Sequence, residues 1–234
     1  MKKAESEEGM CRNSYRENKI EINCVIFCFE DKKLKVLLIK NESDFDNHKW
    51  KLPSAGLNEM PMLQTAQEIL RRYISSDDFF LDQLKAFGHH SSLVQENISI
   101  VYYAMVRKEK TQEEQELHSN LIWIEANTLT QLDANDRMML DFSLKELKKN
   151  ICCSAIGFNL LAEKFTLLQV VNLYEEILGI QINKVNFRRK ILQRRLVQSL
   201  DEKEEGVSYR AAKFYSLNVP KNEVTWNVKF NFIF

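Results

Sequence analysis

Apolar and polar residues alternate in two different rhythms along this chain, and the change of rhythm divides it. Residues 20–29 (IEINCVIFCF) form a β-branched run typical of a strand, and residues 34–40 (LKVLLIK) form a second. The polar break Glu30-Asp31-Lys32-Lys33 between them predicts a hairpin. From Met62 to Tyr73 the spacing becomes three and four, with Leu63, Ala66, Ile69, Leu70 and Tyr73 on one face, which predicts a helix. Strands are predicted near residues 80–88, 98–106 and 121–124. A helix over about 135–149 follows, carrying Met138, Met139, Phe142, Leu144 and Leu147. Strands first with helices interleaved point to an α+β sandwich over residues 19–150.

The second half has a helical rhythm. Thr166 is placed to cap a helix with Leu167, Val170, Val171, Tyr174 and Leu178 inside, and Gly179 to end it. After the short link 180–183, a second helix over 184–197 carries the apolar stripe Phe187, Ile191, Leu192 and Leu196. An acidic loop at 201–206 and a strand-like run at 211–217 complete the order helix, helix, hairpin, which is that of a winged helix. Residues 1–18 are charged and aperiodic and read as a flexible tail. In 221–234, Val224, Trp226, Val228, Phe230, Phe232 and Phe234 alternate with polar residues; that strand-like tail is expected to pair with a sheet edge.

Composition narrows the class. The 234 residues are 44 % apolar and 28 % charged, with six glycines and three prolines, ordinary for a packed domain and wrong for a disordered or collagen-like chain. The polar start has no apolar signal region, so the expected location is the cytoplasm, without membrane association. The five cysteines include no CxxC pair, and Cys24 and Cys28 are expected as reduced core thiols. Neither a cofactor nor a metal site is expected.

Charge is where function first shows. The chain is neutral overall, yet residues 1–150 hold 21 basic and 25 acidic side chains, and the remainder 12 and 8. The excess of cations is concentrated in the second helix of the pair, at Lys184, Arg188, Arg189, Lys190, Arg194 and Arg195, with Asn186 among them. No acid occurs between Glu176 and Asp201. Such a helix suits a polyanion, since each neutralised phosphate releases counterions. Its place as second of a pair is the one that enters a DNA groove. Tyr209 and Arg210 lie near the expected wing. A merely solvated basic face, or a module binding an acidic protein, is the competing reading.

The stretches Phe165-Thr166-Leu167, Leu173-Tyr174-Glu175, Ile177-Leu178-Gly179 and Asn186-Phe187-Arg188-Arg189-Lys190 resemble the C-terminal domain of Nudix-related transcriptional regulators, and Arg210-Ala211-Ala212-Lys213-Phe214-Tyr215 resembles their wing. In the front half, Trp50 with Leu52-Pro53, Asp82-Gln83-Leu84 with Phe87-Gly88, and Ser99-Ile100 with Tyr102-Tyr103-Ala104 resemble the Nudix-fold domain of the same proteins. These repressor families govern NAD metabolism or, in Bacteroidetes-type bacteria, the use of sugars such as arabinose.

The resemblance implies a Nudix-like α/β/α sandwich over 19–150 and a winged-helix domain over 151–220. It also implies a homodimer on a palindromic double-stranded operator, and regulation of sugar catabolism through a small effector, a sugar or nucleotide-sugar. Asn23, Lys40, Trp50, Glu59 and His89 are the residues it implies for that effector. The Nudix box is degenerate. Active Nudix hydrolases hold Mg²⁺ through an Arg-Glu pair and a later Glu-Glu pair on the helix. Here Glu68-Ile69 and Arg72-Tyr73 occupy those positions, and no acid occurs between Glu68 and Asp77. The resemblance therefore implies a regulator without catalytic residues; the alternative is a pyrophosphohydrolase of ADP-ribose-like substrates with an atypical metal site.

Overall fold

The computed structural model describes residues 19–41, 49–90, 96–107, 120–203 and 211–218. Strands β1 (Lys19–Glu30) and β2 (Lys33–Lys40) form the expected hairpin. Its two-residue turn holds Asp31 and Lys32 at φ 52° and 63°, the left-handed pair that matches the twist of a tight hairpin. Lys35 Nζ braces the turn on Glu30 at 2.7 Å and Asp31 at 3.4 Å. Further along, the hairpin splays. Short strands β3 (Trp50–Lys51) and β4 (Ser54–Gly56) fill the gap, β3 on β2 and β4 on β1.

The far edge of β1 runs parallel to β6 (Glu96–Val106), which pairs antiparallel with β5 (Phe79–His90); β7 (Leu121–Glu125) closes on β2. The result is one mixed seven-stranded sheet. Helix α1 (Met62–Tyr73) covers one face through Ala66, Ile69 and Leu70, with Thr65 buried beside them. Leu63, expected inside, is 51 % exposed. Cys24 and Cys28 are buried on this same side, and burial pushes the Cys24 thiol well above its ordinary pKa.

Helix α2 (Ala134–Cys153) packs on the other face and is longer than the sequence suggested. A 3₁₀ turn (Ile156–Leu160) leads to β8 (Phe165–Thr166) and α3 (Leu167–Leu178). α3 starts in a full capping box: Gln169 N–H donates to Thr166 Oγ1 at 3.2 Å, and Thr166 N–H donates to Gln169 Oε1 at 2.7 Å. It ends at Gly179, whose φ of 69° suits glycine. A Cβ there would meet no atom within 4 Å, so the constraint is purely conformational. Gly179→Ala should therefore cost about 1 kcal/mol in chemical denaturation, without altering the native spectrum.

Helix α4 (Lys184–Gln193) stops earlier than expected, so Arg194 and Arg195 lie past its end, Arg195 in the left-handed region at φ 52°. Val197, read as the helix end, begins β9 (Val197–Lys203) instead. The residues 201–203, expected in a loop, are therefore strand. β10 (Lys213–Leu217) lies between β8 and β9 in a three-stranded sheet.

The two halves share a core. Val25, Phe27, Leu38 and Tyr103 of the large sheet belong to one apolar cluster with Phe158, Val170, Tyr174, Phe187 and Tyr215. α3 packs on β2, and Glu176 meets the hairpin there, with Leu34 N–H at 3.4 Å and Lys33 Nζ at 3.9 Å. Among the described residues, no helix is long and apolar enough to cross a membrane.

Candidate nucleic-acid interface and effector site

The basic helix stands on α3. Phe187 and Ile191 are its buried residues, and the Phe187 ring lies 5.5 Å from Tyr174 of α3 in an edge-on contact. Asn183 caps it, its Oδ1 accepting from Asn186 N–H at 3.0 Å. Because two apolar anchors suffice to hold ten residues, the rest of the surface is released to solvent. Lys184, Asn186, Arg188, Arg189, Arg194 and Arg195 are exposed and Lys190 half-buried. Leu192, expected inside, is 38 % exposed.

No ion pair joins Lys184, Arg188 or Arg195 to a described residue, whereas Arg189 Nη2 rests 3.4 Å from Asn186 Oδ1. The basic face is thus open rather than clasped by carboxylates. Arg194 and Arg195 sit at the junction of α4 with the β9–β10 hairpin, where Asn218 Nδ2 donates to Arg195 O at 3.0 Å. Tyr209 and Arg210 lie outside the described residues, as does the 221–234 tail.

The front domain gathers polar groups at one end of its sheet. On β1, Asn23 is buried at 3 % exposure and pairs with Ser54 of β4. Glu21, two residues earlier on the same face, accepts from Ser54 Oγ at 2.9 Å. The parallel neighbour β6 brings Asn97 and Ser99 to the same end, paired with Lys19 and Glu21. Two buried polar atoms here, Asn23 Nδ2 and Asn97 Oδ1, have no hydrogen-bond partner among the described residues. In a packed protein such atoms are uncommon and call for a partner.

Above this end lies the start of α2. Asp133 caps the helix through bonds from Asn135 N–H at 2.7 Å and Asp136 N–H at 3.2 Å. Asp136 accepts from Leu52 N–H at 2.8 Å and is 7 % exposed. Burial, opposed by that hydrogen bond and helped by the charges of Asp133 and Glu21, raises its pKa to about 7. Sequence reasoning missed Asp136. The signal available was an Asp three residues after a capping Asp, on the buried side of a helix.

Of the residues expected at the effector site, Lys40 and Trp50 are direct cross-strand neighbours on β2 and β3. Trp50 is half-buried against the core, with Lys49 Nζ 5.4 Å from its ring, and Lys40 is exposed. Glu59 is exposed in the loop after β4. His89 pairs with Asn97 through its backbone; its side chain lies outside the described residues. Among the described side chains of the five, Asn23 is the one inside the polar end itself.

α1 is the helix to which the resemblance would assign a metal. Its single carboxylate, Glu68, is exposed, Arg72 is exposed beside it, and Arg71 Nε pairs with Asp77 at 3.0 Å. Among the described residues, no three His, Cys, Asp or Glu side chains are placed to hold a cation. The side chains present do not fit Mg²⁺, a hard ion that wants several oxygens.

Comparison with known proteins agrees with this two-part build. Residues 157–217 match the family model of the NrtR DNA-binding winged helix domain. Over 222 residues the chain is 22 % identical to the ADPR responsive transcriptional repressor NtrR of Acinetobacter baylyi, covering 90 % of this chain and 89 % of that one. The crystal structure of Shewanella oneidensis NrtR complexed with a 27mer DNA superposes with a TM-score of 0.78 at 22 % identity, over 90 % of this chain and 97 % of that chain. A MutT/nudix family protein from Enterococcus faecalis gives 0.65 at 16 % identity, over 87 % of both chains. Residues 157–217 are thus a winged-helix domain of the NrtR type, carried behind a Nudix-like fold.

Proposed function

We propose that this chain is a DNA-binding transcriptional repressor whose front domain binds a nucleoside-diphosphate sugar of the ADP-ribose class and thereby changes its hold on DNA. The observation that carries the reading is the open basic face of α4, where three exposed cations, Lys184, Arg188 and Arg189, stand without an intervening carboxylate on the second helix of a winged-helix domain. Lys184 and Arg188 lie to one side of that helix and suit backbone phosphates, while Asn186 and Arg189 face outward. Tyr209 and Arg210 belong to the segment between β9 and β10 that would follow the backbone. A homodimer on a palindromic site completes the proposal, since two-fold protein symmetry is matched by two half-sites.

The effector class is supported by the Acinetobacter baylyi relative, named for its response to ADPR. The polar end of the large sheet is chemically apt for it. A buried amide donor on Asn23 and a buried amide acceptor on Asn97 stand unpartnered among the described residues. Together they can pair with a nucleobase edge or ribose hydroxyls, and Trp50, Lys40 and Glu59 would line the rest of the site. Arabinose-type regulation, the other branch of the resemblance, has no such support from the named relative. Pyrophosphate hydrolysis is disfavoured by α1, which offers one carboxylate and two arginines.

The full chain, titrated onto a duplex selected from a random-sequence pool, should release it as ADP-ribose is added, with AMP and arabinose inert. Appearance of AMP from ADP-ribose and Mg²⁺ on the time scale of binding would overturn the regulator reading of the front domain. An affinity indifferent to all three compounds would overturn the effector.

A further inference from the structure

Val185 is the most exposed large apolar side chain among the described residues, at 78 %. It stands in the first turn of α4, between Lys184 and Asn186, where a polar residue would cost nothing. With about 3.6 residues per turn, Phe187 and Ile191 face the core while Val185 and Arg189, one turn apart, face away from it. Leu192 follows on that outer side. The outermost strip of the basic helix is therefore not purely cationic: an isopropyl group leads, and an arginine follows one turn later. Asn186 steadies that arginine from within the same turn.

In a winged helix the early residues of this helix meet base edges rather than phosphates. Phosphate oxygens give a valine nothing. The major groove offers one apolar feature, the C5-methyl group of thymine, which apolar side chains contact. We infer that Val185 is a specificity residue that reads a thymine methyl in each half-site, with Arg189 one turn along the groove pairing to a neighbouring guanine through O6 and N7. The inference rests on the DNA-binding reading above and adds which atoms do the discriminating. The exposed valine has a partner in the bound state, so water loses contact with both methyl-bearing surfaces at once.

The test uses the full chain and duplexes enriched from a random-sequence pool. Each thymine of the enriched site is replaced in turn by deoxyuridine, which deletes only the methyl. One position per half-site should lose about three- to five-fold in affinity, the value of one buried methyl group. Val185→Ala should bind the thymine and deoxyuridine forms alike, with an unchanged melting temperature. Val185→Ser, which removes both γ-methyl groups and suits the first turn of a helix, provides the same comparison should the alanine variant melt lower. Deoxyuridine silent at every position, or an alanine variant as methyl-sensitive as the parent, would overturn the inference while leaving DNA binding intact. A pool that enriches no sequence would instead overturn the DNA-binding reading, and this one with it.

Discussion

Replacing Lys184 and Arg188 together with alanine should weaken binding to the selected duplex by about 10- to 100-fold at near-physiological salt while leaving the melting temperature where it was. Both side chains are exposed and neither pairs with a described residue, so their removal breaks no internal contact. If each neutralises one phosphate, the slope of log affinity against log salt should fall by about 2. Sequence preference should survive, because phosphate contacts position the protein and base contacts specify. This separates the pair from Val185 and Arg189, whose loss should relax preference with a smaller effect on the salt slope. An unchanged affinity for the double variant would remove the basic face from the interface. A large fall in melting temperature would assign the two residues a packing role that their exposure denies.

The second large effect concerns the polar end of the large sheet. Asp136→Asn should raise the melting temperature at pH 8 by about 5 °C and flatten its pH dependence. The sign follows from the raised pKa. A carboxyl group that ionises near pH 7 when folded, and near its ordinary value when unfolded, makes the folded state bind more protons between those limits. Stability therefore falls as pH rises from about 4 to about 7 and is level above. Asparagine can still accept the Leu52 N–H bond and carries no charge to desolvate. The same variant should weaken ADP-ribose binding, because a group that costs stability where it stands, next to unpartnered amides, is typical of a binding site. Melting scans at pH 5 and pH 8, with and without ADP-ribose, check both halves; equal pH profiles for the two proteins would refute the first.

Local signals carried much of this fold in the sequence. The Thr166 cap and the Gly179 stop are each written within four residues, and both are found as expected. The β1–β2 hairpin was legible for the same reason. The wing's first strand was not: Asp201, Glu202 and Lys203 look like loop, yet an edge strand with a solvated side accepts charge freely. β3 and β4 are two and three residues long and exist because β1 and β2 splay, a fact about register that no window reveals. At the interface, the basic residues were legible from charge, but the outward valine was not, since a lone apolar residue in a basic helix reads as core. At the polar end, Asn23 was legible through the family resemblance. Asn97, Ser99 and Asp136 gain meaning only once β6 and α2 are brought beside it.

Glu176 links the first helix of the winged-helix pair to the tight turn between β1 and β2, above apolar side chains drawn from both ends of the chain. A chain so built has no loose tether between its winged-helix half and its sheet half. Motion started at the sheet must be handed on by solid contact, as through a gear rather than a hinge, and cutting the chain between the two halves would leave each with a wet, greasy wound.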